Sequence, residues 1–284
     1  MSSAQLADVR IAYDVRGDGP PVLFVQGLGY GRGGWGPSPE RLADAFTVVT
    51  FDNRGFGDSD KPPGPYTTAQ LAADALGVLD AAGLERAHVV GASLGGMIAQ
   101  ELVLAAPERV GRLVLCCTTP GGADAAPMPS RTVALMLEAP RLDPREAQRR
   151  FVVNALAPEA PGALVDEICA YRAAHPPDPA GWQSLAAAGA AHDALSRLGE
   201  IAAPTLVLHS TSDNVVDPRN AELLAARIPG ATLEWFDGAG HLFPWEEPDR
   251  FARVLREFLS GVGSTEPRKR AQAAALPPLE REGA

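Results

Sequence analysis

Ala87-His88-Val89-Val90-Gly91-Ala92-Ser93-Leu94-Gly95-Gly96 decides the fold of this chain. The apolar run at its start reads as a buried strand, and the G-x-S-x-G that follows reads as a sharp strand-to-helix turn, a nucleophile elbow. Such a turn lifts the Ser93 Oγ clear of a sheet, and its small flanking residues are needed because the backbone crowds itself there. A serine in that setting points to acyl chemistry.

Strands alternate with helices on both sides of the turn. Val9-Arg10-Ile11-Ala12-Tyr13-Asp14-Val15 alternates apolar and polar residues as a half-buried antiparallel strand does, and Gly17-Asp18-Gly19-Pro20-Pro21 marks a turn after it. Val22-Leu23-Phe24-Val25, residues 47–51, residues 88–90, residues 113–116 and residues 205–208 are short continuous apolar runs, the pattern of parallel strands buried on both faces. Residues 232–236 complete the set. Residues 67–82 open with Thr67-x-x-Gln70, a capping-box pattern, and end before Gly83. After Pro248, the residues Phe251, Val254, Leu255, Phe258 and Leu259 recur at helical spacing up to Gly261. This alternation predicts an α/β fold with a mostly parallel sheet and helices on both faces.

The rhythm breaks between Thr119 and Ser196, a stretch rich in Ala and Pro with helical patterns over 131–137, 146–155 and 163–173. It reads as a helical cap inserted after the sixth strand, over the strand edge where open α/β sheets bind ligands. The expected organisation is a core of residues 1–118 and 197–261, a cap of 119–196 and a disordered tail of 262–284.

Composition narrows the function. Of the 284 residues 46% are hydrophobic and 21% charged, with a formal net charge of −10, which suits a soluble domain and disfavours nucleic acid and anionic membrane surfaces as partners. The N-terminus has no basic segment followed by an apolar one, and no apolar run is long enough for a membrane span, so the expected compartment is the cytoplasm. The three cysteines, Cys116, Cys117 and Cys169, read as buried thiols. No segment specifies an oligomeric state.

A serine hydroxyl needs a base within hydrogen-bond reach and an acid to orient that base. Of five histidines, His88 lies at the wrong end of its strand, His175 and His192 fall in the insertion, and His209 precedes every acid that would serve it. His241, in Gly238-Ala239-Gly240-His241-Leu242, follows the last strand on the same sheet edge as the elbow. Asp213 lies just past a strand end, and the 28 residues from it to His241 leave room for one helix and one strand. Asp217, the competing acid, stands beside Pro218, where an Asp caps the following helix. The end of the preceding strand, Cys116-Cys117-Thr118-Thr119, offers no carboxylate.

With Gln26-Gly27-Leu28-Gly29, Asp52-Asn53-Arg54-Gly55-Phe56-Gly57-Asp58-Ser59, the elbow, Asp213 and Gly240-His241 standing in order, residues 8–260 resemble the α/β-hydrolase fold superfamily. Residues 91–118 are similar to its lactonase and carboxylesterase branch, which includes the enol-lactone hydrolases. The resemblance implies an eight-stranded sheet, a triad of Ser93, Asp213 and His241, and an oxyanion hole of the Leu28 and Leu94 backbone N–H groups. It also implies that Arg54 and its neighbours brace the active-site edge. One departure stands out. The family has His-Gly where this chain has Gln26-Gly27, so Gln26 is expected either to leave oxyanion binding intact or to contact substrate.

The expected reaction is hydrolysis of a small-molecule carboxylic ester or lactone through an acyl-enzyme. Carbon–carbon bond hydrolysis, cofactor-free perhydrolysis and thioester cleavage use the same triad, and a small-molecule receptor on this scaffold retains it without turnover. Trp35, Met136, Phe151, Tyr171 and Trp182 are candidates for an apolar pocket. No cofactor is expected, and no metal, because no His/Cys cluster has ligand spacing along the chain.

Overall fold

The structure is a computed structural model that describes residues 2–261. The tail expected over 262–284 lies outside the described residues. Eight strands form one sheet: β1 (Ser2–Gln5), β2 (Arg10–Arg16), β3 (Pro21–Val25), β4 (Thr47–Phe51), β5 (Ala87–Ala92), β6 (Val110–Cys116), β7 (Thr205–Ser210) and β8 (Thr232–Phe236). Their spatial order is β1-β2-β4-β3-β5-β6-β7-β8. The pairs β1/β2 and β2/β4 are antiparallel and the rest are parallel. The first strand has no signature in the sequence because only Ala4 of Ser2-Ser3-Ala4-Gln5 is buried.

Along the parallel strands successive side chains enter opposite cores. Leu23, Val25, Val89, Leu113, Leu115 and Val207 pack on one face. They meet α2 (Thr68–Ala81), α3 (Leu94–Ala105) and, further along the chain, the helix at Arg219–Arg227. Phe24, Val90, Val114, Cys116, Leu206 and Leu208 pack on the other, against α1 (Ser38–Leu42) and the C-terminal helix Pro248–Leu259. With both faces covered, these strands have no reason to alternate polar and apolar residues. The expected cap on α2 forms, with the Thr67 hydroxyl accepting from Gln70 N at 3.1 Å.

Between β6 and β7 the chain forms α4 (Ser130–Glu138), α5 (Pro144–Asn154), α6 (Gly162–Ala174) and α7 (Pro179–Ala190). Three of them match the periodicity of the sequence. The fourth, Pro-Ala-Gly-Trp-Gln-Ser-Leu-Ala-Ala-Ala-Gly-Ala, has no apolar stripe to read, and its start is set by Asp178, whose carboxylate accepts from Gly181 N at 2.8 Å. After β7 come α8 (Arg219–Arg227), α9 (Phe243–Glu246) and α10 (Pro248–Leu259). No described helix is long and apolar enough to cross a membrane.

Candidate active site

Ser93 sits between β5 and α3 at φ 54° and ψ −122°, a conformation L side chains rarely adopt. The close approach explains the glycines. A Cβ on Gly95 would collide with the Val25 carbonyl, and one on Gly91 with the Gly95 carbonyl and the Ala99 methyl. Ser93 itself remains half-exposed.

Backbone bonds stitch the neighbouring strand ends together. Ser93 N donates to Cys116 O at 2.9 Å, Cys117 N to Leu208 O at 2.9 Å, and Ser212 N to Ala239 O at 3.1 Å. Ser93, Cys117, Asp213 and His241 therefore come together from four segments at one sheet edge. A surface depression of about 400 Å³ between Pro21, Arg86, His88 and Arg112 lies at the opposite edge, away from this cluster.

His241 Nδ1 lies 2.7 Å from Asp213 Oδ2. The other carboxylate oxygen accepts from Val215 N at 2.7 Å and Val216 N at 2.9 Å. Burial of the Asp213 carboxyl works to raise its pKa, but the facing His241 charge and the hydrogen bonds from His209 and His241 outweigh it and hold Asp213 well below the usual carboxylate range. Burial works to lower His241, but the Asp213 carboxylate and the neighbouring Cys117 hold it well above its ordinary value. Asp217 is instead bonded to Arg219, at 2.9 Å to its backbone N, as a helix-start residue would be.

Two contributors escaped the sequence reading. His209 Nε2 lies 3.2 Å from Asp213 Oδ2 and 3.1 Å from Val216 O, so it steadies the acid. The reading tested each histidine only as a base, although the i, i+4 spacing to Asp213 was visible. Glu246 accepts from Gly240 N at 2.7 Å and from Ala157 N, tying the His241 loop to the insertion.

Leu28 and Leu94 flank the elbow, and neither backbone N–H donates to another group among the described residues. Leu94 is the first residue of α3, so its N–H has no helical carbonyl to meet. Gln26 departs from the substrate contact weighed for it. It is 7% exposed, its Nε2 donates to Gly34 O at 2.7 Å and its Oε1 accepts from Gly27 N at 2.7 Å. Both ends of the amide are spent on holding the loop that carries Leu28.

The pocket candidates separate. Trp182 of α7 is half-buried beside the loop, where a Cβ on Gly29 would lie 3.7 Å from its Nε1 and 3.3 Å from an Arg172 nitrogen. Tyr171 stacks on Tyr30 with centroids 6.1 Å apart, and Phe151 is half-buried on α5. Trp35 is not a pocket residue. It is 1% exposed in the core, edge-on to Phe24 at 4.9 Å and stacked on Phe251, because its apolar ring closes the face under α10. Met136 is 45% exposed on α4 and so does not line an enclosed pocket. Arg54 braces as expected, pairing with Asp74 at 2.5 Å and Asp8 at 3.0 Å.

The sheet order, the elbow and this strand-end cluster agree with the comparison to known proteins: the family described as the alpha/beta hydrolase family matches residues 22–254. The chain belongs to that family. Among relatives of this α/β hydrolase, a RutD protein of Azorhizobium caulinodans, provisionally named a carbamate hydrolase, is 34% identical over 264 residues, covering 92% of this chain and 99% of its own. The 2-hydroxy-6-oxononadienedioate/2-hydroxy-6-oxononatrienedioate hydrolase 2 of Pseudomonas putida is 34% identical over 266 residues, covering 89% of this chain and 92% of its own. The solved structure of Est816, described as an N-acyl homoserine lactone degrading enzyme, superposes with a TM-score of 0.78 at 32% identity, covering 90% of this chain and all of the other. The lactonase resemblance read from the sequence has a structural counterpart in that neighbour.

Proposed function

We propose that this α/β hydrolase cleaves a small-molecule carboxylic ester or lactone through an acyl-enzyme, with Ser93 as nucleophile, His241 as base and Asp213 as the acid that orients it. The observation that carries the reading is the 2.7 Å Asp213–His241 pair, fixed by two backbone N–H groups and His209, beside a serine at φ 54°. The likeness to Est816 supports a lactone or ester as the acyl donor.

Ser93 Oγ attacks the carbonyl carbon while the His241 ring nitrogen that Asp213 does not hold takes the hydroxyl proton, and Asp213 Oδ2 holds Nδ1–H and stabilises the imidazolium. The Leu28 and Leu94 N–H groups meet the negative charge that develops on the carbonyl oxygen, a single such donor contributing roughly 3 kcal/mol. His241 then returns the proton to the leaving alcohol, and water, activated the same way, releases the acid.

The inserted residues 119–196 act as the cap. Gly189 of α7 faces Leu94 and Met97, where a Cβ would lie 3.2 Å from the Leu94 Cδ1, and Trp182 overhangs the Leu28 loop. The acyl group enters between these helices and the elbow.

A fluorophosphonate probe should label Ser93 with a stoichiometry of one, and Ser93→Ala should abolish labelling and lower ester turnover by about 10⁶-fold while the melting curve stays intact. Near-wild-type turnover in that variant refutes the nucleophile. A panel of aryl esters, N-acyl lactones, carbamates, thioesters and vinylogous 1,5-diketones then reads the substrate class. Multiple turnovers on the diketones alone overturn the ester reading, and one turnover per molecule on every substrate marks a receptor.

A further inference from the structure

Cys117 adds a soft ligand to the cluster. Its Sγ, a ring nitrogen of His241 and a carboxylate oxygen of Asp213 lie within 4.8 Å of one another, and all three residues are buried. Spacing along the chain could not show this set, because its members come from the ends of β6 and β7 and from the loop after β8. Among the described residues only Ser93 and Cys117 (φ 38°) carry a side chain at positive φ, and Cys117 lies beside His241. The left-handed backbone at Cys117 turns its side chain off the strand direction at the end of β6, and the thiol meets the imidazole. Cys116, the preceding residue, is 0% exposed and packs in the core instead.

We propose that Cys117, His241 and Asp213 form an inhibitory binding site for a thiophilic divalent cation such as Zn²⁺ or Cd²⁺, which switches the enzyme off reversibly by taking its base. The cation is a regulator or toxicant here, not a cofactor. Sulfur and imidazole nitrogen with one carboxylate is a donor set that prefers Zn²⁺ and Cd²⁺ over Mg²⁺ or Ca²⁺. Bond lengths of about 2.3 Å to sulfur and about 2.1 Å to nitrogen place ligand atoms about 3.6 Å apart around a tetrahedral ion, so the cluster must contract by roughly 1 Å at its widest. The Asp213–His241 contact must open from 2.7 Å. That opening is the inhibitory event, because the ion replaces the Nδ1–H hydrogen bond that orients the base. On binding, the Cys117 S–H proton passes to solvent as the metal–sulfur bond forms, and the Nδ1 proton passes to the other ring nitrogen or to solvent as the metal–nitrogen bond forms, with no change of oxidation state. The fourth coordination position takes water.

The site itself depends only on the cluster; its inhibitory consequence rests on the proposed triad. Purified enzyme is titrated with Cd²⁺ in a non-chelating buffer, following the near-ultraviolet thiolate-to-metal absorption and 4-nitrophenyl acetate hydrolysis in the same samples. One equivalent should produce the band and suppress hydrolysis, EDTA should restore the rate, and Mg²⁺ should do neither. Cys117→Ser should lose the band and need at least about tenfold more Cd²⁺ for half-inhibition, each protein being referred to its own metal-free rate, and Cys116→Ser and Cys169→Ser should behave as wild type. His241→Ala should keep the thiol but weaken binding by a similar factor, which tests the cluster without relying on the fold of the cysteine variant. A band that survives in Cys117→Ser, or that disappears in Cys169→Ser, overturns the site. A Cys117-dependent band in a protein whose metal-free rate equals that of Ser93→Ala leaves the site standing and overturns the catalytic reading instead.

Discussion

Replacing Asp213 by Asn tests how the base is held. The carboxylate makes four contacts: Val215 N and Val216 N on Oδ1, and His241 and His209 on Oδ2 at 2.7 and 3.2 Å. In the variant the amide oxygen keeps the two backbone donors, so the NH₂ must face both histidines. His209 Nε2, which also lies 3.1 Å from the Val216 carbonyl, carries a proton and is left donor to donor with the new amide. His241 Nδ1 must then accept rather than donate, which forces the proton onto the nitrogen facing Ser93. A base already protonated at that nitrogen cannot take the serine proton, and in a comparable triad the same change lowers kcat by about 10⁴. That factor corresponds to about 5.5 kcal/mol of lost transition-state stabilisation. The fold loses less, about 1–3 kcal/mol for the mismatched buried donors, because the backbone bonds survive. Steady-state hydrolysis of 4-nitrophenyl acetate measures the first quantity and a near-ultraviolet melt the second. Asp217→Asn is the control, since that carboxylate is committed to Arg219. An Asp213→Asn enzyme within about tenfold of wild type, or an Asp217→Asn enzyme equally impaired, refutes the assignment of the acid.

The pH profile follows from the same pair. Burial alone would push His241 down, but Asp213 and Cys117 hold it well above 6.5, so kcat/KM for a neutral ester should climb through neutral pH and level off only on the alkaline side, where the imidazole is neutral. A wild-type acid limb centred at or below pH 6.5 contradicts the pairing, and Asp213→Asn should move the limb downward, because burial is then opposed by Cys117 without the carboxylate charge. Gly189→Leu fills the space against Leu94 and Met97 and should raise KM for aryl-chain esters by about tenfold with little effect on acetates; equal KM values for both remove the acyl group from that space. Arg54→Ala strands Asp74, which is 3% exposed, and should cost roughly 3–5 kcal/mol in a urea titration while kcat per folded molecule stays within about threefold. A loss of kcat larger than the loss of folded protein would make Arg54 part of the chemistry.

The parallel core was legible because continuous apolar runs such as Val22-Leu23-Phe24-Val25 have few other uses in a chain of this composition. The Asp213–His241 contact was legible because the fold fixes chain order and sheet edge, both of which a sequence displays. The misreadings share a cause. Trp35 and Met136 were named by residue type, and nothing in one dimension tells which way an aromatic or a methionine points: one faces the core and the other solvent. Gln26 raised the same ambiguity, resolved only by the Gly34 carbonyl eight residues on. Cys117 and His209 were hidden more deeply, since their roles depend on a φ of 38° and on a strand-end turn that brings the histidine back to Asp213. The helix α7 was hidden because an Ala/Gly-rich face packs through closeness rather than through an apolar stripe.

The interruption of the sheet by the four inserted helices also has a meaning in time. Ser93 leaves the ribosome 120 residues before Asp213 and 148 before His241. At about 5–20 residues per second the serine exists for roughly 6–24 s before its acid is even synthesised. During that interval the elbow carries an alcohol of ordinary reactivity. On the proposed mechanism the nascent chain is therefore inert toward substrate, and reactivity is conferred late, when the last two strands dock.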